Sequence, residues 1–341
     1  MSRTVSTMTV STIPAGAPVV DTLAAGLLAR HGGGADSLAG LTVLLPTRRA
    51  CLTLREAFLR LSTGDAMLLP RLMALGDVDA DEVEPDTLGV LSETLAGADI
   101  PPAIADLERR LILTRLVMSW GGDGDGERPF ARADQAARLA GELARLIDQV
   151  QTERLSFGGL RTLVPEDYAA HWQLTLAFLD IVASHWPAIL AERGVMDPAA
   201  RRNRMLESLA ERWRAAPPDD PVIAAGSTGS IPATADLLAV IAGLPRGEVV
   251  LPGLDRETDD EIWDCIDEGH PQFGLKRLLD RLAVDRDQVG DWAPDETPRP
   301  LAGRAALLNL ALRPAATTET WATEPPPPNN VLQGLEAIDC P

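Results

Sequence analysis

Residues 222–251, VIAAGSTGSIPATADLLAVIAGLPRGEVVL, decide the fold. Val222–Ala225 is a short apolar run that reads as a buried strand and feeds a Gly/Ser/Thr turn. Pro232 then stands in the first turn of a helix, where its missing N–H costs nothing. Ala233–Ile241 continues with helical spacing, and Glu248–Leu251 reads as the next strand. Strand, helix, strand is the repeating unit of a parallel sheet covered on both faces. The turn residues Gly226, Ser227, Thr228, Gly229 and Ser230 also raise a chemical question, because backbone amides at a helix N-terminus make an anion site.

The same alternation opens the chain. Thr7–Ile13 is β-rich, PAGAP turns, and Val19–Ala29 has helical spacing at Val19, Leu23, Leu27 and Leu28. LTVLLP follows as a second buried strand, with Thr47 as N-cap of the helix RRACLTLREAFLRL. AMLLPRLMAL reads as a third strand region before an acidic loop over Gly76–Asp86. From about Ile104 to Ala215 the pattern is long amphipathic helices only. PPDDP at Pro217–Pro221 then punctuates a return to alternation. The expected division is residues 1–103 as the first part of an α/β domain, 104–216 as an all-helical insertion, and 217–315 as the second part. Residues 316–341 hold a Pro-rich linker, TEPPPPNN, and the start of a further apolar segment whose abrupt end suggests a longer protein.

Composition bounds the function. At 341 residues with 45% hydrophobic content, the chain can build a sizeable core. A net charge of −19 excludes a generally basic nucleic-acid wrapper and leaves room only for local basic strips. Cys51, Cys265 and Cys340 are scattered thiols without CxxC spacing, which suits a reducing cytoplasm. No run approaches the length of a membrane span, and no signal pattern opens the chain. A soluble, cytoplasmic protein is the expectation.

A phosphate-binding P-loop needs GxxxxGK[ST], its lysine against the phosphates and its hydroxyl on magnesium. The only lysine, Lys276, falls inside the helix FGLKRLLDRL with no glycine-rich loop before it, and Gly16 and Gly26 are wrongly spaced. The strands PVIAAGS and GEVVLPGLD lack an acidic doublet. His31, His171, His185 and His270 share no metal-ligand spacing, and the two His-Trp pairs at 171 and 185 suggest a packed helix seam. AAGSTGS is out of register for a nucleophile elbow. No catalytic or metal site is therefore expected in this chain. Two basic strips remain, Arg48/Arg49 with Arg55 and Arg60 on one helix, and Arg201, Arg202, Arg204, Arg212 and Arg214 on another. Arg48 and Arg49, at a helix N-terminus, suit a phosphodiester backbone. The competing reading is a solvated face with ion pairs such as Arg55 and Arg60 around Glu56.

Several stretches, VLLPTRRACLTLREAFLR, LLPRLMALGDVD, VPEDYAAHWQLTLAFL, AAGSTGSIPATADLLAVIAGLPRGEVVLPGLD and HPQFGLKRLLDRL, together resemble the alphaproteobacterial AddB family over about Ile13–Leu282. That resemblance implies a RecA-like domain, of the kind that opens superfamily 1 helicases, carrying an inserted helical subdomain. It implies contact with single-stranded DNA or a duplex end at Pro46, Thr47, Arg48 and Arg49. It implies an AddA-type subunit as partner in a helicase–nuclease that processes double-strand breaks. Gly226–Ser230 would stand at a helicase-motif turn that lacks its acidic residue and glutamine, so nucleotide sensing is not expected. ATP and magnesium would act in the partner, while the family's nuclease metal and its occasional iron–sulfur cluster would lie beyond residue 341. The alternative is a stand-alone α/β enzyme holding a phosphorylated small molecule at Gly226–Ser230.

Overall fold

The protein is described from a computed structural model, which defines residues 8–34, 36–62, 64, 66–76, 99–119, 132–156, 184–292, 303–322 and 331. Six strands form one sheet: β1 Val10–Ile13, β2 Thr42–Leu45, β3 Arg71–Ala74, β4 Val222–Ala225, β5 Gly247–Pro252 and β6 Gly290–Asp291. Their order is β3-β2-β4-β5-β1-β6, and every pairing is parallel.

Strands β2 and β4, TVLL and VIAA, are apolar and fully buried because both faces of the sheet are covered there. Side chains alternate between faces along a strand, so neighbours in sequence enter different cores. Val43, Leu45, Ile223, Ala225 and Val250 join α1 (Val19–His31) and α2 (Arg48–Leu61) on one face. Leu44, Val222, Ala224, Val249 and Leu251 join the helices of the other face.

The winding follows from the strand order. From β1 the chain steps outward to β2 and β3, then returns to fill the gap with β4 and β5 before placing β6 beyond β1. Right-handed crossovers put helices from opposite directions of travel on opposite faces. Neighbours β2 and β4 therefore send the chain to different faces, and so do β1 and β5. At such switch points the carboxyl ends of the strands open a crevice.

Between β3 and β4 lie α3 (Asp106–Ser119), α4 (Ala133–Thr152) and α5 (residues 184–193), which share a separate core of Leu113, Ala140, Ile147, Trp186 and Leu190. Their entry and exit run side by side. Met196 N–H donates to Pro102 O at 2.9 Å, and Ile104 N–H donates to Met196 O at 2.8 Å. Among the described residues of 104–216, none belongs to the sheet.

The insertion's expected end at residue 216 needs correcting. Helix α6 (Pro198–Ala215) buries Leu206, Leu209 and Trp213 in the sheet's core, against α7 (Pro232–Ala242). It is the crossover helix returning to β4. An amphipathic helix has the same sequence pattern whether its apolar stripe meets a sheet or other helices.

The chain continues through α8 (Asp260–Asp264), α9 (Phe273–Leu282) and α10 (Arg304–Ala311). Residues 315–322, partly assigned to the linker from sequence, form a 3-10 helix. TEPPPPNN, most of the acidic loop after Gly76 and the first His-Trp pair lie outside the described residues.

Candidate nucleic-acid interface

The two segments singled out in sequence meet at the β2/β4 crevice. Pro46, Thr47, Arg48 and Arg49 leave the carboxyl end of β2, and Gly226–Ser230 leaves that of β4. Gly226 adopts a left-handed φ of 75°, which favours glycine, and a Cβ there would lie 3.6 Å from Pro46 Cδ. On Pro46's other side, Gly76 N–H donates to the Pro46 carbonyl at 3.0 Å. Three strand ends thus converge on one proline.

Thr47 is the N-cap that the sequence predicts. Its backbone is extended, and its Oγ1 accepts the Ala50 N–H at 3.1 Å. Arg48 and Arg49 are the first two residues of α2, whose first turn contains no acid. Thr47 and Arg49 are exposed and Arg48 is half-buried. Arg49 has no carboxylate partner among the described residues. The positive end of the helix dipole adds to these guanidiniums, so the rim favours an anion.

Farther along α2, Arg60 does not make the pair with Glu56 that the solvated-face reading gave it. Arg60 reaches Asp21 on α1, with Nε 3.2 Å from Oδ1, rather than Glu56 on its own helix. Helix-face spacing cannot register a carboxylate delivered by a neighbouring helix.

The Gly226–Ser230 turn is packed and internally bonded. The Gly226 N–H goes to Val250 O at 3.0 Å, and the Gly229 N–H goes to Ser227 Oγ at 3.2 Å. Gly229 has a φ of 62°, and a Cβ there would come within 2.8 Å of Leu278 Cδ1 on α9. These glycines set a close strand-to-helix turn against a neighbouring helix.

The second basic strip is partly structural. Arg201 Nε donates to Pro101 O at 3.1 Å and Arg202 Nη2 to Thr152 Oγ1 at 2.9 Å, tying α6 to the insertion. Lys276 Nζ donates to the Trp263 and Asp264 carbonyls at 2.8 Å each, closing the C-terminal end of α8. No group of three or more metal-ligating side chains gathers among the described residues. Among them, too, no helix is long and apolar enough to cross a membrane.

One feature escaped the sequence. At the other switch point, outside β1 and β5, a cavity of about 690 Å³ is lined from the turns after β1 and β5, the approach to α9, the β6 region and α10. Segments so far apart in sequence leave no common spacing, and the only advance signal is Pro14–Ala15 and Gly253–Leu254 following two buried strands. No family model matches the chain, and no curated protein matches it.

Proposed function

We propose that this chain is a DNA-binding, subunit-docking module with a RecA-like layout that itself hydrolyses no nucleotide, serving as the N-terminal part of an AddB-type subunit in a helicase–nuclease for double-strand-break ends. The observation that carries the reading is the adjacency of Pro46 and Gly226 across β2 and β4. It aligns the Pro46–Arg49 rim with a sheet crevice in an otherwise strongly acidic protein. Phosphates would meet Arg48, Arg49 and the start of α2, contacts that position a strand without reading its bases. In this reading an AddA-type partner supplies ATP hydrolysis with magnesium, and the complex works in the cytoplasm. Any nuclease metal or iron–sulfur cluster would belong to sequence beyond residue 341.

The test is single-stranded DNA binding by the complex with the AddA-type partner, across a salt series, for the wild type and Arg48→Ala/Arg49→Ala. Each lost phosphate contact is expected to flatten the log–log salt slope by roughly 0.7, with little dependence on sequence. An unchanged slope in a correctly folded variant would assign both arginines to a solvated helix face.

A further inference from the structure

The cavity at the β1/β5 switch point has the volume of a small-ligand site, about 690 Å³, and stands where open parallel sheets bind ligands. Its chemistry is the reverse of a phosphate site. Four carboxylates line it, on Asp255, Glu257, Asp287 and Asp291, against one guanidinium, Arg256. Arg256 is already engaged: its Nη1 donates to the Val289 carbonyl at 2.8 Å, and its Nη2 pairs with Asp291. Asp255 is engaged too, its Oδ1 accepting the Glu257 N–H at 2.8 Å and the Thr258 N–H at 3.2 Å. Glu257 and Asp287 have no cationic partner among the described residues. The rest of the wall mixes polar side chains, Thr12, His270, Gln272 and Asn309, with apolar ones, among them Leu308 of α10 and its C-cap Leu312, which are 57% and 45% exposed.

We propose that this cavity binds an aliphatic amine, its ammonium groups held by Glu257 and Asp287 and its methylene stem laid along Leu308 and Leu312. A polyphosphate is repelled by a net lining charge of −3 with His270 neutral, four carboxylates less one guanidinium. A metal ion finds no group of three ligating side chains here among the described residues. A flexible cation with an apolar stem satisfies both parts of the wall. Such a cation comes either from a free polyamine or from a lysine side chain of a protein partner.

Calorimetric titration of the full chain with spermidine, and separately with a pentalysine peptide, tests the assignment. One saturable site is expected for at least one probe; a preference for spermidine assigns a free polyamine, and a preference for the peptide assigns a partner's lysine. The Glu257→Gln/Asp287→Asn variant is expected to bind roughly tenfold or more weakly, a loss of about 1.4 kcal/mol or more. Asp134→Asn/Glu142→Gln, with the same charge change on the exposed surface of α4, is expected to bind like wild type, which separates a site from general attraction to an acidic protein. Absence of saturable binding, or equal weakening in both variants, would overturn the proposal.

Discussion

Asp197 Oδ1 lies 2.9 Å from Arg109 Nε, and neither side chain is more than 4% exposed. The pair is the centre of a buried network. Arg109 also meets Asp148 at 2.9 Å, while Asp197 Oδ2 accepts from Gln151 Nε2 at 2.7 Å and from Trp186 Nε1 at 2.8 Å. One carboxylate at the N-cap of α6 therefore joins α3, α4 and α5 to the helix that packs on the sheet.

Removing Asp197 leaves the buried Arg109 guanidinium with only the partly exposed Asp148, and removing Arg109 leaves the Asp197 carboxylate buried with no cationic partner among the described residues. Asp197→Ala is expected to destabilise the protein by about 3–5 kcal/mol, and Arg109→Ala by a similar amount. Replacing both together is expected to cost less than the sum of the single changes. Urea denaturation of the two single variants and the double variant checks this; strictly additive losses would remove the pair from its central role.

Gly26 and Trp292 give a second test. A Cβ on Gly26 would lie 2.3 Å from Trp292 Nε1, the indole is 1% exposed, and the Arg30 guanidinium stands 4.0 Å above the ring. In an exposed helix Gly→Ala gains about 1 kcal/mol, whereas overpacking a filled core costs about 1–3 kcal/mol. With no room for the indole to retreat, the second effect wins. Gly26→Ala is expected to lower Tm and shift the tryptophan emission; a raised Tm would refute the packing argument.

Asp236 links the segment that follows α4 to the sheet layers. It accepts from Arg154 at 2.6 Å, pairs with Arg281, and Arg154 also holds Glu207 at 2.8 Å. Burial alone pushes the Asp236 carboxyl up, but the hydrogen bonds from Arg154 and Arg281 outweigh it and hold the pKa below its ordinary value. The unfolded state therefore binds the proton more readily, so this contribution is present above the ordinary carboxylate range, about pH 4, and is lost as pH falls through the folded value. Asp236→Asn is expected to be less stable than wild type at neutral pH, with the gap closing on acidification. A gap independent of pH down to about 2 would contradict the linkage.

The sheet was legible because strands buried on both faces must be apolar throughout, as TVLL and VIAA are. The N-cap at Thr47 was legible because hydroxyl capping is a local event. The partner of Arg60, the sheet-facing role of α6 and the indole against Gly26 are long-range facts that residue spacing does not encode. Strand β6 is only two residues long, too short to leave a periodic signal. The Pro46–Gly226 contact depends on β4 pairing with β2, a long-range pairing that residue spacing does not encode.

Strand order also sharpens the argument against nucleotide binding. The β1–α1 turn, Pro14-Ala15-Gly16-Ala17-Pro18, stands at a switch point where a phosphate loop would need successive free amides. Pro14 and Pro18 have no N–H, and the Ala17 N–H is spent on the Pro14 carbonyl at 3.2 Å. The only lysine is bound to the carbonyls ending α8, and the adjacent cavity is lined by carboxylates. A fluorescent ATP analogue with magnesium is expected to give no saturable signal with the isolated chain. Binding in the micromolar range would show that amides or cations outside this turn hold the phosphates, and would return the cavity to the nucleotide.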